Sequence, residues 1–213
     1  MKLKVCGLTK INQIQELISL NVDFLGFIFY EKSPRYVLHH LSLKEIAEIP
    51  HFGKVGVFVN ESIKAIVEIT TESQLDIIQL HGNENEKFIL QLKQILGNNI
   101  KIIKVIRIGN QSFDELQKTI NQQPSTVNYL LFDTDSKAFG GTGKTFDWQI
   151  LNEIEIPIPY FLSGGISLEN LENLKILNQK PLVLDINSKF ETEPGIKDLE
   201  KIKNFTQIVK KIY

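Results

Sequence analysis

The chain has 213 residues, of which 42% are hydrophobic and 23% are charged, a composition typical of one globular domain and not of a disordered chain. It carries 24 Lys and Arg against 25 Asp and Glu, without a basic stripe, so nucleic acid is not an expected partner. No signal-peptide-like stretch begins the chain and no apolar run reaches the ~18 residues that span a bilayer, so we expect a cytoplasmic protein that does not bind membranes.

Eight short runs rich in β-branched and aromatic residues alternate with amphipathic stretches. This alternation is typical of successive βα units and a parallel sheet. The predicted strands are Leu3–Leu8, Asp23–Phe29, Lys54–Val59, Asp76–Leu80, Lys101–Ile106, Asn128–Asp133, Tyr160–Leu162 and Leu182–Asp185.

Three of the intervening stretches, Asn12–Leu20, Ile63–Ile69 and Phe88–Leu96, place apolar residues at helical spacing. They predict crossover helices between the strands. Further helix starts are indicated by capping residues, which are Ser42, Ser62 and Ser167 with Asn170 three positions on.

Polar and glycine residues gather just after the carboxyl ends of the predicted strands. In a closed parallel barrel these ends share one face, where barrel enzymes carry their chemistry, whereas an open doubly wound sheet would spread them along an edge. No linker rich in Pro, Gly or Ser divides the chain. We predict an α/β fold with a single (β/α)8 TIM barrel over residues 1–213. The strand-end residues are Cys6-Gly7, Ser33 to Arg35, Asn60, His81-Gly82, Asp133, Gly140 to Lys144, Ser163 to Gly165 and Asp185 to Ser188.

Cys6 is the only cysteine of the chain, which excludes an internal disulfide, and a lone thiol most often fills the core. Alternation along the first strand puts Cys6 on the face of Lys4, opposite the apolar face of Leu3 and Val5. We predict that the Lys4 and Cys6 face is the barrel interior. With an unperturbed pKa of ~8.5, the thiol would need nearby positive charge to act as a base.

Asp133 ends an apolar run, so its carboxylate either caps the following loop or points into the barrel mouth. Asp135, two residues later, has already left that run. We therefore favour Asp133 as the carboxylate of the site.

The glycine-rich segment 138–145 resembles a phosphate-binding P-loop, which has the spacing G-x-x-x-x-G-K-[ST]. Ala138 stands where the first glycine of that motif should be, so nucleotide hydrolysis is disfavoured. We expect instead a loop of the kind that covers a barrel active site, with Lys144 able to meet an anion.

The loops after the seventh and eighth strands favour a phosphate ligand. These are the usual phosphate-binding loops of the fold, because glycine lets backbone N–H groups approach the anion and a helix N-terminus attracts negative charge. The alternative interpretation is that the two loops are simply tight turns that bind no ligand. The predicted contacts are Gly164, Gly165, Asp185, Asn187 and Ser188.

Arg35 and His81 follow the second and fourth strands. A lone arginine is commonly solvated, but the planar guanidinium suits a carboxylate and Pro34 stiffens its loop. His81 is either a structural histidine or a substrate contact. The remaining histidines, His39, His40 and His51, lack the spacing of metal ligands, so we predict no metal.

Eight fragments stand in a fixed order along the chain: Lys4-Val-Cys-Gly-Leu-Thr9, Gly26-Phe-Ile-Phe29, Ser33-Pro-Arg-Tyr36, Val55-Gly-Val-Phe-Val-Asn60, Gln79-Leu-His-Gly82, Phe132-Asp-Thr134, Gly140-Gly-Thr-Gly-Lys-Thr-Phe-Asp-Trp148 and Leu162-Ser-Gly-Gly165. Together they resemble the phosphoribosylanthranilate isomerase family of tryptophan biosynthesis, nearly from end to end. Each fragment alone is unspecific, and their order carries the resemblance.

The resemblance implies an Amadori rearrangement of N-(5-phosphoribosyl)anthranilate to 1-(2-carboxyphenylamino)-1-deoxyribulose 5-phosphate, without cofactor or metal. Asp133 matches the family's general acid and Cys6 its general base, for which a lowered pKa is expected. The loops after strands 7 and 8 would hold the phosphate, and Arg35 the anthranilate carboxylate. After strand 8 the chain departs from the family's Asp-x-Ser-Ser-Gly pattern, because it lacks the glycine and has Lys189.

Two alternatives remain at this point. The related histidine-pathway isomerase carries out the same rearrangement on a substrate with two phosphates, but it uses aspartates as both acid and base, and Cys6 argues against it. A non-catalytic phosphate-binding barrel would need neither Cys6 nor Asp133. We expect a small phosphorylated molecule as the partner, and a monomer or a homodimer.

Overall fold

The computed structural model describes residues 1–135 and 145–212, and its eight parallel strands close into one barrel. The first strand pairs with both the second and the eighth, which confirms the predicted barrel and excludes the open sheet. The strands are β1 (Lys2–Val5), β2 (Phe24–Ile28), β3 (Lys54–Phe58), β4 (Ile77–Leu80), β5 (Lys101–Ile108), β6 (Tyr129–Thr134), β7 (Tyr160–Leu162) and β8 (Val183–Ile186).

After β8 the chain forms a short 3-10 turn, a two-stranded antiparallel hairpin of β9 (Glu191–Glu193) and β10 (Ile196–Lys197), and then the last helix. The hairpin follows the carboxyl end of β8, so its residues reach the mouth of the barrel. The helices are α1 (Ile11–Ser19), α2 (Leu43–Ala47), α3 (Ile63–Glu72), α4 (Glu86–Leu96), α5 (Phe113–Asn121) and α6 (Leu199–Ile212).

Ser42 and Ser62 are the N-caps of α2 and α3, as predicted: each hydroxyl accepts a hydrogen bond from the backbone N–H three residues on. The predicted helix start at Ser167 is wrong. The Asn170 side chain does accept the Ser167 N–H, at 2.9 Å, but this bond closes a turn. The helix that follows is a 3-10 helix, and it begins at Leu171.

Two apolar layers lie on either side of the barrel wall. Leu3 and Val5 belong to the outer layer, between the strands and the helices, while Lys4 points inward and meets Asp185 of β8. This confirms the face predicted from strand alternation. The side chains that fill the inside of the barrel are Val55, Ile77, Ile103, Val105, Leu131, Phe161 and Val183. None of the helices in the described part of the chain is long and apolar enough to cross a membrane.

Candidate active site

Cys6 follows β1 directly and lies at the carboxyl mouth of the barrel. Its backbone N–H donates to the Ile186 carbonyl at 2.9 Å, which extends the ladder between β1 and β8, and the residue is only 5% exposed. Gly26 on β2 makes room for it, because a Cβ at that position would lie 2.9 Å from the Cys6 Sγ. A side chain larger than hydrogen at position 26 would therefore displace the thiol.

Lys4 and Asp185 form a buried ion pair beside this thiol. The Lys4 ammonium donates to both Asp185 carboxylate oxygens, at 3.0 and 2.9 Å, and both side chains are almost wholly buried. Burial works against the charge of Lys4, but Asp185 and Cys6 outweigh it and raise the pKa of the amine. Asp185 is therefore part of the barrel interior, and its predicted contact with the substrate stays a prediction.

We expected a lowered pKa for Cys6, and this expectation is wrong for the structure as it stands. Burial raises the pKa of the thiol above its ordinary value, because water no longer solvates the thiolate. The ammonium groups of Lys4 and Lys197 oppose that rise, and Asp185 adds to it. The thiol is thus the resting form, with two cations close enough to stabilise its ionised form.

Asp133 stands on β6 with one carboxylate oxygen facing His81. The distance from His81 Nε2 to Asp133 Oδ2 is 3.3 Å, and the other oxygen accepts the Thr134 N–H at 2.8 Å. Gln79 lies behind the imidazole, with its amide nitrogen 3.1 Å from His81 Nδ1. If the amide donates there, the imidazole carries its proton on Nε2 and donates to Asp133. His81 thus contacts the carboxylate predicted for the site.

Asp135 does not share this position. It is exposed, and its side chain lies against Gly109 on the loop after β5, where a Cβ would be 3.1 Å from the Asp135 Cβ. The geometry supports the choice of Asp133 over Asp135 as the carboxylate that faces the mouth.

The turn after β7 is built from two glycines in the left-handed region, with φ of 85° at Gly164 and 71° at Gly165. A Cβ on Gly164 would clash with the Thr134 hydroxyl and would lie 3.2 Å from the Asp133 carboxylate. This turn is therefore packed directly against the Asp133 carboxylate, and only glycine fits there without strain. If Gly164 and Gly165 bind a phosphate as predicted, that anion would lie beside Asp133.

Asn187 and Ser188 follow β8 at the same mouth. Ser188 begins the 3-10 turn that ends at Phe190, and Lys189 is exposed on that turn. The Asn187 side-chain oxygen accepts a hydrogen bond from Lys197 at 2.9 Å. Because this bond uses the side-chain oxygen, the amide nitrogen keeps its donors, and the phosphate contacts of Asn187 and Ser188 stay predictions.

Arg35 is almost buried and is held by Glu191 of the hairpin. Its Nε lies 2.9 and 3.0 Å from the two Glu191 oxygens, and its Nη2 lies 2.6 Å from one of them. Although burial opposes the Glu191 charge, Arg35 and Lys197 lower the pKa of this carboxyl. The guanidinium has five N–H donors, so a second edge, formed by Nη1 and Nη2, can still meet a ligand carboxylate.

Several residues of the mouth were not predicted from the sequence. Glu191, Lys197 and Gln79 each touch a predicted site residue, and Gly26 makes space for one. The inward position of Lys4 on an otherwise apolar strand was the available signal for a buried charge cluster. Lys144 lies outside the described residues. In residues 1–135 and 145–212, no group of three or more His, Cys, Asp or Glu could hold a metal ion.

The closed parallel barrel, with a thiol and a carboxylate at its carboxyl mouth, defines a (β/α)8-barrel enzyme. The family model described as N-(5'phosphoribosyl)anthranilate (PRA) isomerase matches residues 3–208, so the chain belongs to this family of tryptophan biosynthesis. A relative from Parabacteroides distasonis is 38% identical over 210 residues, covering 97% of this chain and 92% of the relative. A relative from Nostoc punctiforme is 40% identical over 205 residues, with 95% of each chain covered. Both are N-(5'-phosphoribosyl)anthranilate isomerases.

Solved structures agree with the fold over whole chains. The phosphoribosyl anthranilate isomerase of Thermus thermophilus has a TM-score of 0.83 at 23% identity, with both chains covered in full. A phosphoribosyl anthranilate isomerase in complex with reduced 1-(o-carboxyphenylamino)-1-deoxyribulose 5-phosphate has a TM-score of 0.78 at 27% identity, again with full coverage. The dimeric enzyme of Thermotoga maritima, solved in monomeric form, has a TM-score of 0.78 at 28% identity with full coverage.

Proposed function

We propose that this barrel converts N-(5-phosphoribosyl)anthranilate to its deoxyribulose isomer with Asp133 as the general acid and Cys6 as the general base. The observation that carries the proposal is the placement of these two groups at one mouth. Asp185 lies within electrostatic reach of both, since its own charge is affected by Asp133 and in turn affects Cys6. A proton-transfer isomerase requires one acid and one base, and these two groups stand at the same end of the barrel.

Asp133 and Cys6 each transfer one proton in the rearrangement, which needs no redox partner. Asp133 gives a proton to the ribose ring oxygen, the bond between that oxygen and C1 breaks, and the anthranilate nitrogen becomes an iminium. The Cys6 thiolate then removes the proton from C2. The electron pair of the broken C2–H bond neutralises the iminium and gives an enolamine. In the tautomerisation of this enolamine C1 gains a proton and the hydroxyl on C2 loses one, which gives the ketone of the product with no net change in protons.

His81 orients the acid in this scheme. Its Nε2 faces one Asp133 oxygen and Gln79 holds its other ring nitrogen, so the second carboxylate oxygen stays on the side of the Gly164 turn. An imidazole fixed in this way selects one rotamer of the carboxylate. The proton of Asp133 is thereby aimed at the substrate.

The two anionic ends of the substrate fit the two ends of the mouth. Backbone N–H groups of Gly164 and Gly165, with Asn187 and Ser188, would bind the phosphate, and Lys144 would approach the same ligand. Arg35 would bind the anthranilate carboxylate through the guanidinium edge that Glu191 does not occupy. A relative in complex with a reduced product that carries both a phosphate and a carboxyphenyl group supports a ligand with these two ends.

The carboxylate contact can be tested with Arg35→Met. The variant is expected to raise KM for phosphoribosylanthranilate about 10- to 100-fold with a smaller change in kcat, since a charge-assisted hydrogen bond contributes ~1.5–3 kcal/mol. Glu191→Gln keeps Arg35 but holds its guanidinium less firmly, so it is expected to raise the same KM by a smaller factor.

The control for Arg35→Met compares two ligands that differ only in the carboxylate. The reduced product analogue should inhibit the wild type more strongly than the same analogue without its carboxylate, and Arg35→Met should abolish that preference. If the variant keeps the full preference for the carboxylated analogue, Arg35 does not bind this group.

The activity itself is tested by generating phosphoribosylanthranilate enzymatically and following the loss of its fluorescence. The wild type is expected to accelerate this loss and to leave the two-phosphate substrate of the histidine-pathway isomerase unchanged. If the loss of fluorescence stays at the uncatalysed rate, the chain does not catalyse this reaction.

The other expectations belong to the same proposal. The phosphorylated substrate is the only partner that the reaction needs, no cofactor takes part, and the enzyme works in the cytoplasm, where amino-acid biosynthesis would use it. Its oligomeric state is either a monomer or a homodimer, and the dimeric relative from Thermotoga maritima makes the second worth measuring.

A further inference from the structure

Lys197 is a buried lysine that the predicted roles leave unexplained. It ends the hairpin strand β10, its side chain is wholly inaccessible, and its ammonium donates to Glu191 at 2.6 Å and to Asn187 at 2.9 Å. Its position is fixed from a second side, because its backbone N–H and carbonyl are both bonded to the Gln13 side chain, at 2.9 and 2.8 Å. Together these hydrogen bonds fix the position of the Lys197 ammonium.

The Lys197 ammonium lies near the Cys6 thiol. Asn187, which accepts from Lys197, would lie 2.9 Å from a Cβ on Gly7, the residue after Cys6. Lys197 and Cys6 accordingly act on each other's charge, and Lys4, two residues before Cys6 on the inward face of β1, acts on the thiol as well. The thiol is therefore affected by two buried ammonium groups, which come from opposite ends of the chain.

Three charged groups act directly on the thiol, and two of them are cations. Lys4 of β1 and Lys197 of β10 are positive, and Asp185 of β8 is negative. Behind them Glu191 faces Lys197 and Arg35, and across the mouth Asp133 and His81 face Asp185. Glu191 also helps Lys197 to keep its proton, since burial lowers the pKa of that amine and Glu191 opposes the fall.

We propose that Lys197 is a positioning residue that, together with Lys4, stabilises Cys6 as a thiolate for the removal of the substrate proton. A fixed cation stabilises an adjacent thiolate most strongly where water is excluded, as at this buried position. The hairpin thus does more than hold Arg35 through Glu191. It also supplies a charge to the base, so both ends of the site depend on it. This inference rests on the proposed role of Cys6.

The single cysteine allows a direct test on the free enzyme. The rate of iodoacetamide alkylation is measured across neutral to alkaline pH for the wild type, Lys197→Met and Lys197→Arg. We expect Lys197→Met to move the midpoint upward by about one pH unit, which is about tenfold less thiolate below both midpoints. Lys197→Arg, which keeps the charge, should stay close to the wild type. The pH profile of kcat/KM should shift in parallel.

The matched control is Lys54→Met. Lys54 is also buried, but it donates to the Ile46 and Ala47 carbonyls at 3.3 and 3.1 Å near the opposite end of the barrel, so its loss should leave the midpoint unchanged. Circular dichroism establishes that each variant is folded. Lys197→Gln, which retains a hydrogen-bond donor toward Glu191, replaces Lys197→Met if the latter does not fold.

An unchanged midpoint in folded Lys197→Met or Lys197→Gln would overturn the inference. Equal upward shifts in the Met and Arg variants would do so as well, since they would assign the effect to packing and not to charge. Alkylation needs no turnover, so these results stand apart from the proposed function, which is decided by the activity of the wild type and of Cys6→Ser.

Discussion

Cys6→Ser is expected to reduce kcat about 10²- to 10⁴-fold, the usual contribution of a positioned general base. Serine is close to cysteine in shape, so it should fit the space that Gly26 leaves without unfolding the barrel. Its hydroxyl is a far weaker acid than a thiol, and the two neighbouring ammonium groups cannot ionise it. Steady-state turnover of phosphoribosylanthranilate by fluorescence measures the effect. A serine variant with wild-type kcat would remove Cys6 from the mechanism.

The proposed role of Asp133 as the acid can be tested in the same assay, with the neighbouring Asp135 as the comparison. Asp133→Asn should lower kcat by a similar factor, because an amide has no proton to give to the ring oxygen. Asp135→Asn changes a carboxylate two residues away that is exposed and lies against Gly109, so it should leave kcat within about twofold. If the two variants lose activity equally, the structure does not distinguish their roles.

In the proposed mechanism Cys6 and Asp133 act on the same substrate as one base and one acid, which predicts the activity of the double variant. When one member is missing the other contributes little, so Cys6→Ser with Asp133→Asn should lose much less than the product of the single losses. The remaining rate would come from binding and orientation of the substrate at the phosphate and carboxylate contacts.

The barrel could be predicted from the sequence because strand alternation and the placement of polar residues are local signals. Cys6 illustrates this: its inward face followed from Lys4 on one side and Leu3 and Val5 on the other, and the structure agrees. Helix starts at Ser42 and Ser62 were likewise local, since each cap bonds within three residues. Ser167 shows the limit, because the same cap signal produced a turn and the 3-10 helix begins four residues later.

The charge cluster could not be predicted, because its members come from distant parts of the chain. Lys4 meets Asp185 across 181 positions, and Arg35 meets Glu191 across 156. The sequence marked Arg35 as a carboxylate ligand without indicating that Glu191 would already hold one of its edges. The raised pKa of Cys6 could not be predicted for the same reason. It depends on the balance between burial of the thiol, which raises the pKa, and the charges of Lys4 and Lys197, which lower it.

Lys4→Met should destabilise the protein by about 3–5 kcal/mol at neutral pH, the usual cost when one partner of a buried ion pair is removed. The methionine fills nearly the same volume, so the loss comes from Asp185, whose carboxylate then lies buried without its cation. Equilibrium unfolding in urea, followed by circular dichroism, measures the change. Lys54→Met is the comparison: that lysine contacts backbone carbonyls, so its replacement leaves no acid of this kind behind and should cost less.

The pH dependence and a double variant identify the cause of the Lys4→Met loss. Burial already raises the pKa of Asp185, and without Lys4 it rises further above its ordinary value of 3.8. An acid with a raised pKa in the folded state binds more protons there than when unfolded, so stability falls as pH rises from that value toward the folded pKa. The deficit of Lys4→Met relative to the wild type should therefore shrink in mild acid. Lys4→Met with Asp185→Val removes both charges and should recover most of the lost stability, since an apolar pair of similar size is often neutral. A deficit that is constant with pH and persists in the double variant would assign the loss to packing of the methionine instead of to the stranded carboxylate.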